Sequence, residues 1–508
     1  MNVSHNIERA RRHFPDKPAI IFGDRVYTYA EFEETVNRIG NALLGLGIER
    51  GDRVGIYLPN MPAFPLAYYA IQKIGAVAVS LNALLKAQEV RYILDDCGAK
   101  ALFTTGDLLQ HVPTGELPNL QHVIVVEGDT GGHLALDSLT ENAASTLKAT
   151  DMEPDEPAAI LYTSGTTGFP KGATLSHRNI VSNMYSTVHH TKLTPDDRLM
   201  LFLPLFHVFG QNFIMNGGFT AGATLVLLPR FEPEPVLDAI QRHRATCFYA
   251  VPTIYVYLLN MDTSRWDLSS IRYYFTAAAT MPKEVALRWK EKTGLMTYEG
   301  YGLTECSPFA SYNHDFQHKF GSIGEPIENV EMKIVDEEGN ELPPGEWGEI
   351  VIRGPGVMLG YWGRPEETAR AVRNGWLHSG DVGMTDDEGY FYIVDRVKDM
   401  INAAGFKVFP AEVENVIYQH PAVKEVAVYG KPDPVKGETV AADVVLKEGM
   451  SLQPEELIAF VRERIAVYKA PREVRFVAEL PKSATGKILK RVLRERARVE
   501  QEEQGKGG

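Results

Sequence analysis

Short apolar runs alternate with helical-period segments along most of this chain, and this alternation restricts the fold more than any other feature. Helical periodicity covers residues 30–45 and 64–75, and β-branched or apolar runs flank such segments. The order strand, helix, strand is typical of crossover units on a parallel sheet, so we predict an α/β fold. The predicted strands include Val54–Leu58, Ala76–Ser80, Lys100–Thr104, Leu199–Leu203, Thr224–Leu228, Thr246–Val251 and Ile271–Thr276.

The sequence pattern changes twice, and these changes predict the domain organisation. From about 324 to 395, short strands alternate with turn residues such as Glu337–Gly339 and Pro343–Gly345, so a β-rich subdomain is expected. We place a large domain of several subdomains at 1–396 and a small, mobile α+β domain at 397–508, with the boundary near Arg396 to Lys398. A solvated helix with a frayed end is expected at the C-terminus.

Composition argues against several classes of protein. The formal net charge of −14 disfavours general binding to nucleic acid or anionic lipid. The three cysteines, Cys97, Cys247 and Cys306, lack metal-binding or CxxC spacing. Neither a secretory signal nor a run of about eighteen apolar residues is evident, so we expect a cytoplasmic protein without a transmembrane segment.

The loop Thr163–Gly172 is the most informative motif. It follows the apolar run Ala158–Tyr162 and combines four Ser or Thr hydroxyls, three glycines and Lys171. Backbone N–H groups and hydroxyls in such a loop can surround a polyphosphate while the lysine neutralises charge. Its spacing differs from that of a P-loop. A flexible surface turn would explain only the glycines. The predicted phosphate-binding residues are Thr163, Ser164, Gly165, Thr166, Thr167, Gly168 and Lys171.

This loop resembles the signature of the adenylate-forming superfamily, which includes acyl-CoA synthetases, firefly luciferase and the adenylation domains of peptide synthetases. Four further stretches are similar to motifs of that family and follow in the same order along nearly the whole chain. They are YEGYGLTE (298–305), GWLHSGDVG (375–383), VDRVKDMINAAGFKVFPAEVE (394–414) and PKSATGK (481–487). The resemblance implies that the protein uses ATP to activate a carboxylic acid.

The YGLTE motif places a hydroxyl and a carboxylate beside a glycine. Oxygen groups of this kind suit a hard cation such as Mg²⁺. The resemblance implies that Thr304 contacts the α-phosphate and that Glu305 binds the metal. On spacing alone, a helix-capping threonine and a solvated glutamate remain the alternative.

The HSGDVG motif places Asp381 in a glycine-flanked turn. A carboxylate there can accept both ribose hydroxyls, although turn chemistry alone also explains such an aspartate. The resemblance implies that Asp381 binds the ATP ribose with help from Arg396. It also implies a set of residues around adenine, with a tyrosine ring as a stacking face: Ala277, Ala278, Ala279, Glu299, Gly300 and Tyr301.

Three residues of segment 397–508 gain roles through the resemblance. Lys487, otherwise an ordinary surface lysine, matches the adenylation lysine, whose charge would stabilise negative charge developing on the α-phosphate. Lys398 matches the hinge about which the small domain rotates between half-reactions. Gly405 matches a glycine beside which the pantetheine arm of coenzyme A passes.

His207 lies in the apolar segment LPLFHVFG (203–210). A lone histidine in such a stretch is usually a satisfied core residue. The matching family histidine lies beside the acyl carboxylate, so we predict that His207 lines the acyl pocket of the catalytic site. No charged side chain in the pocket motifs would clearly pair a second substrate charge. The predicted apolar wall comprises Phe206, Val208, Tyr249, Val251 and Phe275.

We therefore expect a ligase that uses ATP, Mg²⁺ and coenzyme A. The residues of the later motifs are most similar to those of bacterial fatty acyl-CoA ligases. This similarity favours a medium- or long-chain fatty acid as the substrate. Four alternatives stay open: an acyl carrier protein as acceptor, another monocarboxylic acid such as an aromatic one, a luciferase-like oxidase, and a non-catalytic nucleotide-binding protein. A homodimer is among the possible assemblies.

Overall fold

The structure is a computed structural model that describes residues 1–163, 170–396, 399–403, 406–433, 437–483 and 486–506. Its α-helices are α1 (His5–His13), α2 (Tyr29–Gly45), α3 (Ala63–Lys73), α4 (Ala87–Asp96), α5 (Leu136–Thr140), α6 (His177–His190), α7 (Gly217–Ala221), α8 (Pro233–His243), α9 (Pro252–Leu259), α10 (Lys283–Thr293), α11 (Pro365–Ala371), α12 (Pro410–Ile417), α13 (Pro454–Arg462) and α14 (Lys490–Lys506). A π-helix covers Phe209–Asn216, and 3₁₀ turns cover Gly106–His111, Thr114–Glu116 and Thr304–Cys306.

The strands follow in chain order. They are β1 (Pro18–Phe22), β2 (Arg25–Thr28), β3 (Arg53–Tyr57), β4 (Val77–Ser80), β5 (Ala101–Thr104), β6 (His122–Val125), β7 (Leu134–Ala135), β8 (Pro157–Thr163), β9 (Lys171–Ser176), β10 (Arg198–Leu201), β11 (Thr224–Leu227), β12 (Cys247–Ala250), β13 (Tyr273–Thr276), β14 (Thr297–Gly302), β15 (Phe309–Tyr312), β16 (Glu325–Pro326), β17 (Glu331–Val335), β18 (Gly348–Arg353), β19 (Gly360–Tyr361), β20 (Val372–Arg373), β21 (Trp376–Thr385), β22 (Phe391–Arg396), β23 (Ile401–Ala403), β24 (Phe406–Val408), β25 (Val423–Asp433), β26 (Gly437–Leu446) and β27 (Glu473–Phe476).

Two large sheets with parallel interiors form the first part of the chain. Sheet I has the order β19-β9-β8-β4-β3-β5-β6-β7, and sheet II has the order β16-β15-β14-β13-β12-β10-β11-β1-β2. The strands from β8 to β7 in sheet I and from β14 to β1 in sheet II pair in parallel. The predicted α/β class is confirmed. The predicted strands coincide with observed strands to within two residues, because pairing stops before the apolar runs do.

Helix α3 shows why the two sheets form one body. Every residue from Phe64 to Lys73 is buried, and a mostly apolar helix that is buried on all sides lies inside a core. Gln72 donates to the carbonyl of Ala158 on β8, and the Tyr69 hydroxyl donates to Asn216 of the π-helix. Helix α3 therefore links sheet I to the layer that covers sheet II.

Two antiparallel or mixed sheets form the rest of the described chain. Sheet III contains β17-β18-β21-β20, with β22 on β21, and confirms the predicted β-rich subdomain. Its turns include Gly339 and Gly345, both at positive φ, as turn chemistry requires. The subdomain is not continuous, because β19 pairs with β9 of sheet I. This pairing matters for the site, because β19 contains Tyr361.

Sheet IV contains β24-β23-β26-β25, with β27 on β26, and lies in a small C-terminal domain, as predicted. Its apolar core includes Val413, Val426, Val444 and Leu457 and is separate from the core around sheets I and II. The exact boundary near Arg396 to Lys398 and the mobility of this domain stay predictions.

The C-terminal helix differs from its prediction in one respect. Leu493 and Ala497 on α14 are fully buried against Tyr429 and Ala427 of β25. A wholly solvated helix was expected because its charged residues outnumber its apolar ones, and the sparse apolar stripe was overlooked. Among the described residues, no helix is long and apolar enough to cross a membrane.

Candidate functional site

The predicted site residues of the large region cluster where the parallel strands of sheet II end. His207 follows β10, Ala277 follows β13, and Thr304 follows β14. The carboxyl ends of parallel strands lie at one edge, which is where α/β sheets bind ligands. The topology therefore brings together residues that are up to 97 positions apart in the sequence.

The two ends of the predicted phosphate loop lie next to each other on sheet I, and Thr163 contacts Glu305, which follows β14 of sheet II. Thr163 at the end of β8 pairs with Lys171 at the start of β9. The Lys171 ammonium lies over the Tyr361 ring, 5.3 Å from its centroid. Five predicted phosphate-binding residues lie outside the described residues: Ser164, Gly165, Thr166, Thr167 and Gly168.

Two hydroxyl groups hold the Glu305 carboxylate beside Thr163, the first residue of this loop. Its Oε1 accepts from the Tyr361 hydroxyl at 2.9 Å and from the Thr163 hydroxyl at 3.4 Å. Met358 N–H donates to the Glu305 carbonyl at 2.8 Å, which fixes the segment that delivers Tyr361. Burial, and then the Glu305 charge, raise the pKa of Tyr361, so the phenol remains a donor. Tyr361 was not among the predicted site residues, although it lies in a stretch rich in glycine and proline, residues 354–368.

The loop after β14 is tightly built. Thr304 is buried, and a cis peptide bond joins Ser307 to Pro308. A Cβ on Gly302 would lie 1.5 Å from the Pro308 carbonyl oxygen, so no other residue fits there without moving the loop. The glycine of YGLTE thus serves the packing of the loop that carries Thr304 and Glu305.

Asp381, the predicted ribose ligand, is buried on β21. Its Oδ2 accepts from the Tyr301 hydroxyl at 2.8 Å. Burial, and then the Asp381 charge, raise the pKa of Tyr301, so this phenol keeps its proton. The register of β21 and β22 places Arg396 directly across from Asp381. The Arg396 side chain lies outside the described residues.

The residues predicted to surround adenine occupy the ends of β13 and β14. Ala278 has φ +69°, a conformation that few residues with a Cβ adopt, and Ala277 and Ala279 are partly exposed beside it. Gly300 packs on Phe275, since a Cβ would lie 2.5 Å from the ring. The absence of a side chain at Gly300 therefore allows Phe275 to pack against the backbone of β14.

Glu299 carries the most perturbed carboxyl of this group. Its side chain is 5% exposed, and its Oε1 accepts from the backbone N–H of Met281 at 3.0 Å. Burial raises its pKa to about 8, against a smaller lowering by that hydrogen bond. Glu299 is therefore predominantly protonated at neutral pH and can donate a hydrogen bond.

His207 lies just before the π-helix. Its Nδ1 accepts from the N–H of Phe209 at 3.2 Å, and its carbonyl accepts from the N–H of Gln211 at 2.9 Å. Burial, and then the charge of Lys487, lower the pKa of His207 to about 4. The imidazole is neutral near pH 7, and Lys487 is close enough to influence it.

The π-helix is anchored by buried amides that the sequence analysis missed. Gln211 Oε1 accepts from Ser80 at 2.6 Å, and Gln211 and Asn216 both donate to Asn212 Oδ1, at 3.2 and 3.3 Å. Asn212 also donates to the Ser307 carbonyl at 3.5 Å. The sequence did contain a sign of this network, since three amides interrupt the otherwise apolar run Phe209–Asn216. Amides that are buried in such a run must find hydrogen-bond partners. The network ties the π-helix to the loop that carries Thr304.

An aromatic layer lies between sheet II and the π-helix. Rings of Phe213 and Phe275 stack at 4.7 Å, and Phe309 meets Phe213 edge-on at 5.0 Å. Of the predicted apolar wall, Tyr249 and Phe275 belong to this layer, Val208 and Val251 are buried, and Phe206 is partly exposed. The layer comprises Phe209, Phe213, Tyr249, Phe275, Phe309 and Tyr312.

The C-terminal segment reaches the same edge. Thr253 at the start of α9 donates to the Gly486 carbonyl at 3.0 Å, next to Lys487. The predicted hinge residue Lys398 and the predicted pantetheine-contacting Gly405 lie outside the described residues. Among the described residues, no group of three His, Cys, Asp or Glu side chains could hold a metal ion by protein ligands alone. Binding of Mg²⁺ at Glu305 stays a prediction; a carboxylate suits this ion, which usually takes its other ligands from phosphate oxygens and water.

Comparison with known proteins identifies the family. A model described as AMP-binding enzyme matches residues 7–362, and one described as AMP-binding enzyme C-terminal domain matches residues 412–487. A long-chain-fatty-acid–CoA ligase of Bacillus subtilis is 38% identical over 95% of this chain and 92% of its own length. A feruloyl-CoA synthase of an Amycolatopsis species is 39% identical over 96% of this chain and 97% of its own. The crystal structure of the anthranilate CoA ligase AuaEII with anthranoyl-AMP superposes with a TM-score of 0.93 at 34% identity, covering 98% of this chain and 97% of that one. This chain therefore belongs to the adenylate-forming family of AMP-binding enzymes.

Proposed function

We propose that this enzyme joins a monocarboxylic acid to coenzyme A through an acyl-adenylate. The observation that carries the proposal is a set of contacts that brings groups of three sheets together around the end of β14. Thr163 of sheet I donates to Glu305, which follows β14, and Asp381 of sheet III accepts from Tyr301 on β14. The Gly486 carbonyl, next to Lys487, accepts from Thr253, which follows β12 of the same sheet II. Hydroxyls, carboxylates and lysines in this arrangement suit a metal-bound nucleoside triphosphate. All three relatives are named as CoA ligases or synthases, which supports the thioester product.

In the first step, a carboxylate oxygen of the acid attacks the α-phosphorus of ATP, and the bond to the departing pyrophosphate breaks. The Lys487 ammonium would neutralise charge that grows on the α-phosphate in the transition state. Neutral His207 would orient the acid without binding it too tightly as an ion pair. When bound at Glu305, Mg²⁺ would neutralise phosphate charge.

In the second step, the thiol of coenzyme A attacks the acyl carbonyl and AMP leaves. An acyl carrier protein offers the same pantetheine thiol and remains the alternative acceptor. Incubating the adenylated enzyme with coenzyme A or with a holo-carrier protein, and measuring AMP release, separates the two. Faster release with the carrier protein than with coenzyme A would contradict our proposal.

For the acid, we propose a medium- or long-chain fatty acid first. The named function of the Bacillus relative supports this, as does a wall of uncharged side chains beside His207. Burying an alkyl chain against such a wall contributes about 0.8 kcal/mol of binding free energy per methylene removed from water.

An aromatic acid is the second candidate, and the aromatic layer favours it. Phe213 and Phe275 are in ring contact at 4.7 Å, so an alkyl chain that passed between them would have to separate the rings. A planar aromatic acid would need a shorter site than an alkyl chain and could pack against the edge of this layer. The feruloyl and anthranilate relatives support this choice.

A panel of acids tests the proposal directly. AMP formation would be measured with octanoate, palmitate, benzoate and ferulate, each with and without coenzyme A. We expect the highest kcat/KM with a fatty acid and AMP turnover that depends on coenzyme A. A preference for benzoate or ferulate would establish the second candidate, and no AMP with any acid would contradict adenylation.

Lys487→Ala tests the assignment of the lysine. We expect pyrophosphate release to fall by at least about 100-fold, the loss typical of a missing electrostatic stabiliser. Thioester formation from a supplied acyl-adenylate should be retained. Lys148→Ala, a change at a lysine whose side chain is 88% exposed, is the matched control and should behave as wild type. Normal pyrophosphate release by Lys487→Ala would refute the assignment.

A further inference from the structure

Helix α9 contacts the C-terminal segment at two points on one face. Thr253 Oγ1 donates to the Gly486 carbonyl at 3.0 Å. One turn later, the Tyr257 ring lies 5.7 Å from the ammonium of Lys424 on β25. Residues four apart share a helix face, so these contacts form one surface.

The first contact is close and specific. Gly486 has φ +81°, and a Cβ there would lie 3.2 Å from Val251 Cγ2 and 3.3 Å from Thr253 Oγ1. The glycine therefore allows the backbone to approach the start of α9. Pro252 occupies the first turn of α9, and the helix has no side-chain N-cap of its own. A carbonyl oxygen suits this end of the helix, where the dipole is positive.

The contact lies at the peptide that orients Lys487. Three hydrogen bonds join Ser483 to the residues at the end of the turn behind this contact. The Gly486 N–H donates to the Ser483 carbonyl at 2.9 Å, and the Lys487 N–H donates to Ser483 Oγ at 3.2 Å. The Ser483 N–H donates to the Lys487 carbonyl at 2.8 Å. Lys482 is paired with Glu425 at 2.8 Å, which ties the turn to sheet IV. These hydrogen bonds hold Gly486 and Lys487 to Ser483, and Thr253 connects Gly486 to the large region.

We propose that Thr253 is a positioning residue that fixes the Lys487 turn for the adenylation step only. The inference rests on the proposed function, which assigns Lys487 to the first half-reaction. The Thr253 hydroxyl contacts neither reacting atoms nor nucleotide in this role. It sets where the Lys487 backbone lies relative to His207, and a displacement of about 1 Å is enough to lower a rate strongly.

Thr253→Val removes the hydroxyl while nearly keeping the shape, and Thr253→Ser keeps the hydroxyl. Pyrophosphate release in a single turnover without coenzyme A measures the first step, and thioester formation from supplied acyl-adenylate measures the second. We expect Thr253→Val to slow the first step by about tenfold, as expected for one lost hydrogen bond. The second step should be unchanged, and Thr253→Ser should behave as wild type.

Thr35→Val is the matched control, since the Thr35 hydroxyl also donates to a carbonyl, that of Glu31 at 2.8 Å on α2. It should leave both steps unchanged. Equal slowing of both steps by Thr253→Val, or no slowing, would overturn the proposal. So would a Thr253→Ser variant as slow as Thr253→Val.

A second measurement does not depend on catalysis. Hydrogen exchange of peptides covering residues 486–489 should be faster in Thr253→Val than in Thr35→Val, because the docked turn opens more often. Equal exchange would refute the docking role even if the enzyme activated none of the acids tested. Absence of AMP formation in wild type combined with faster exchange would reject the proposed function and retain the docking surface.

Discussion

Replacing Glu299 by Gln should stabilise the protein in a strongly pH-dependent way. The pKa of Glu299 is about 8 in the folded chain because the carboxyl is buried, whereas an exposed glutamate has a pKa near 4.5. Between these values the folded state keeps a proton that the unfolded state releases, so stability falls as pH rises and becomes constant above about pH 8. Gln cannot ionise, yet its amide oxygen can still accept from Met281.

The magnitude follows from the two pKa values. Their difference corresponds to a cost on the order of 5 kcal/mol at and above pH 8, most of which is absent at pH 5. The free energy of unfolding of the Gln variant minus that of wild type should therefore grow by roughly 4 kcal/mol between pH 5 and pH 8.5. Contributions from all other titrating groups cancel in this difference.

Urea unfolding of the ligand-free protein, followed by tryptophan fluorescence at both pH values, measures the effect. Glu337→Gln, the same change at an exposed position in a turn, is the control and should give a pH-independent difference near zero. A Glu299→Gln difference that does not change with pH would refute the reasoning. It would mean that Glu299 ionises as an exposed carboxyl does.

Three further outcomes follow from the structure. Lys73→Met should destabilise the protein by about 2–3 kcal/mol in urea, because fully buried Lys73 pairs with Glu33 and, among the described residues, Arg11 alone would then pair with that carboxylate; a loss below about 1 kcal/mol would contradict this. Gly302→Ala should lower AMP formation by about 100-fold, because the new methyl collides with the Pro308 carbonyl and displaces the loop; normal AMP formation would show that the loop is not constrained. The imidazole resonances of His207 should not titrate between pH 5.5 and 8, as its pKa of about 4 requires; an NMR midpoint near 6.5 would contradict the lowered pKa.

The order of elements could be predicted because each parallel strand is an apolar run interrupted by a helical repeat. The positions of the strands around Val54 and Thr224 could be predicted without knowledge of the tertiary structure. Strand order within the sheets could not be predicted, because parallel pairing joins segments far apart in the chain. The pairing of β1 with β11, which joins Ile20 to Leu225, leaves no local signal.

The site shows the same limit. Glu305 and Asp381 were found by motif, but their hydroxyl partners Tyr361 and Tyr301 were not assigned as such. A hydrogen bond across 56 or 80 residues depends on strand register, which a single sequence does not contain. The roles of the phosphate-binding, hinge and pantetheine-contacting residues stay predictions.

The amide network beneath the π-helix has a consequence for how substrate range can change during evolution. Because the backbone from Phe209 to Asn216 is fixed by its own buried amides, the aromatic rings it carries are not needed to hold its path. Exchanging buried Phe213 for a small residue would still cost about 3–5 kcal/mol through the cavity it leaves, but the amides would keep the path of the backbone. If the proposed acyl site is correct, changes at these rings would alter the acid that is accepted, while the amides that also hold the loop carrying Thr304 would be retained.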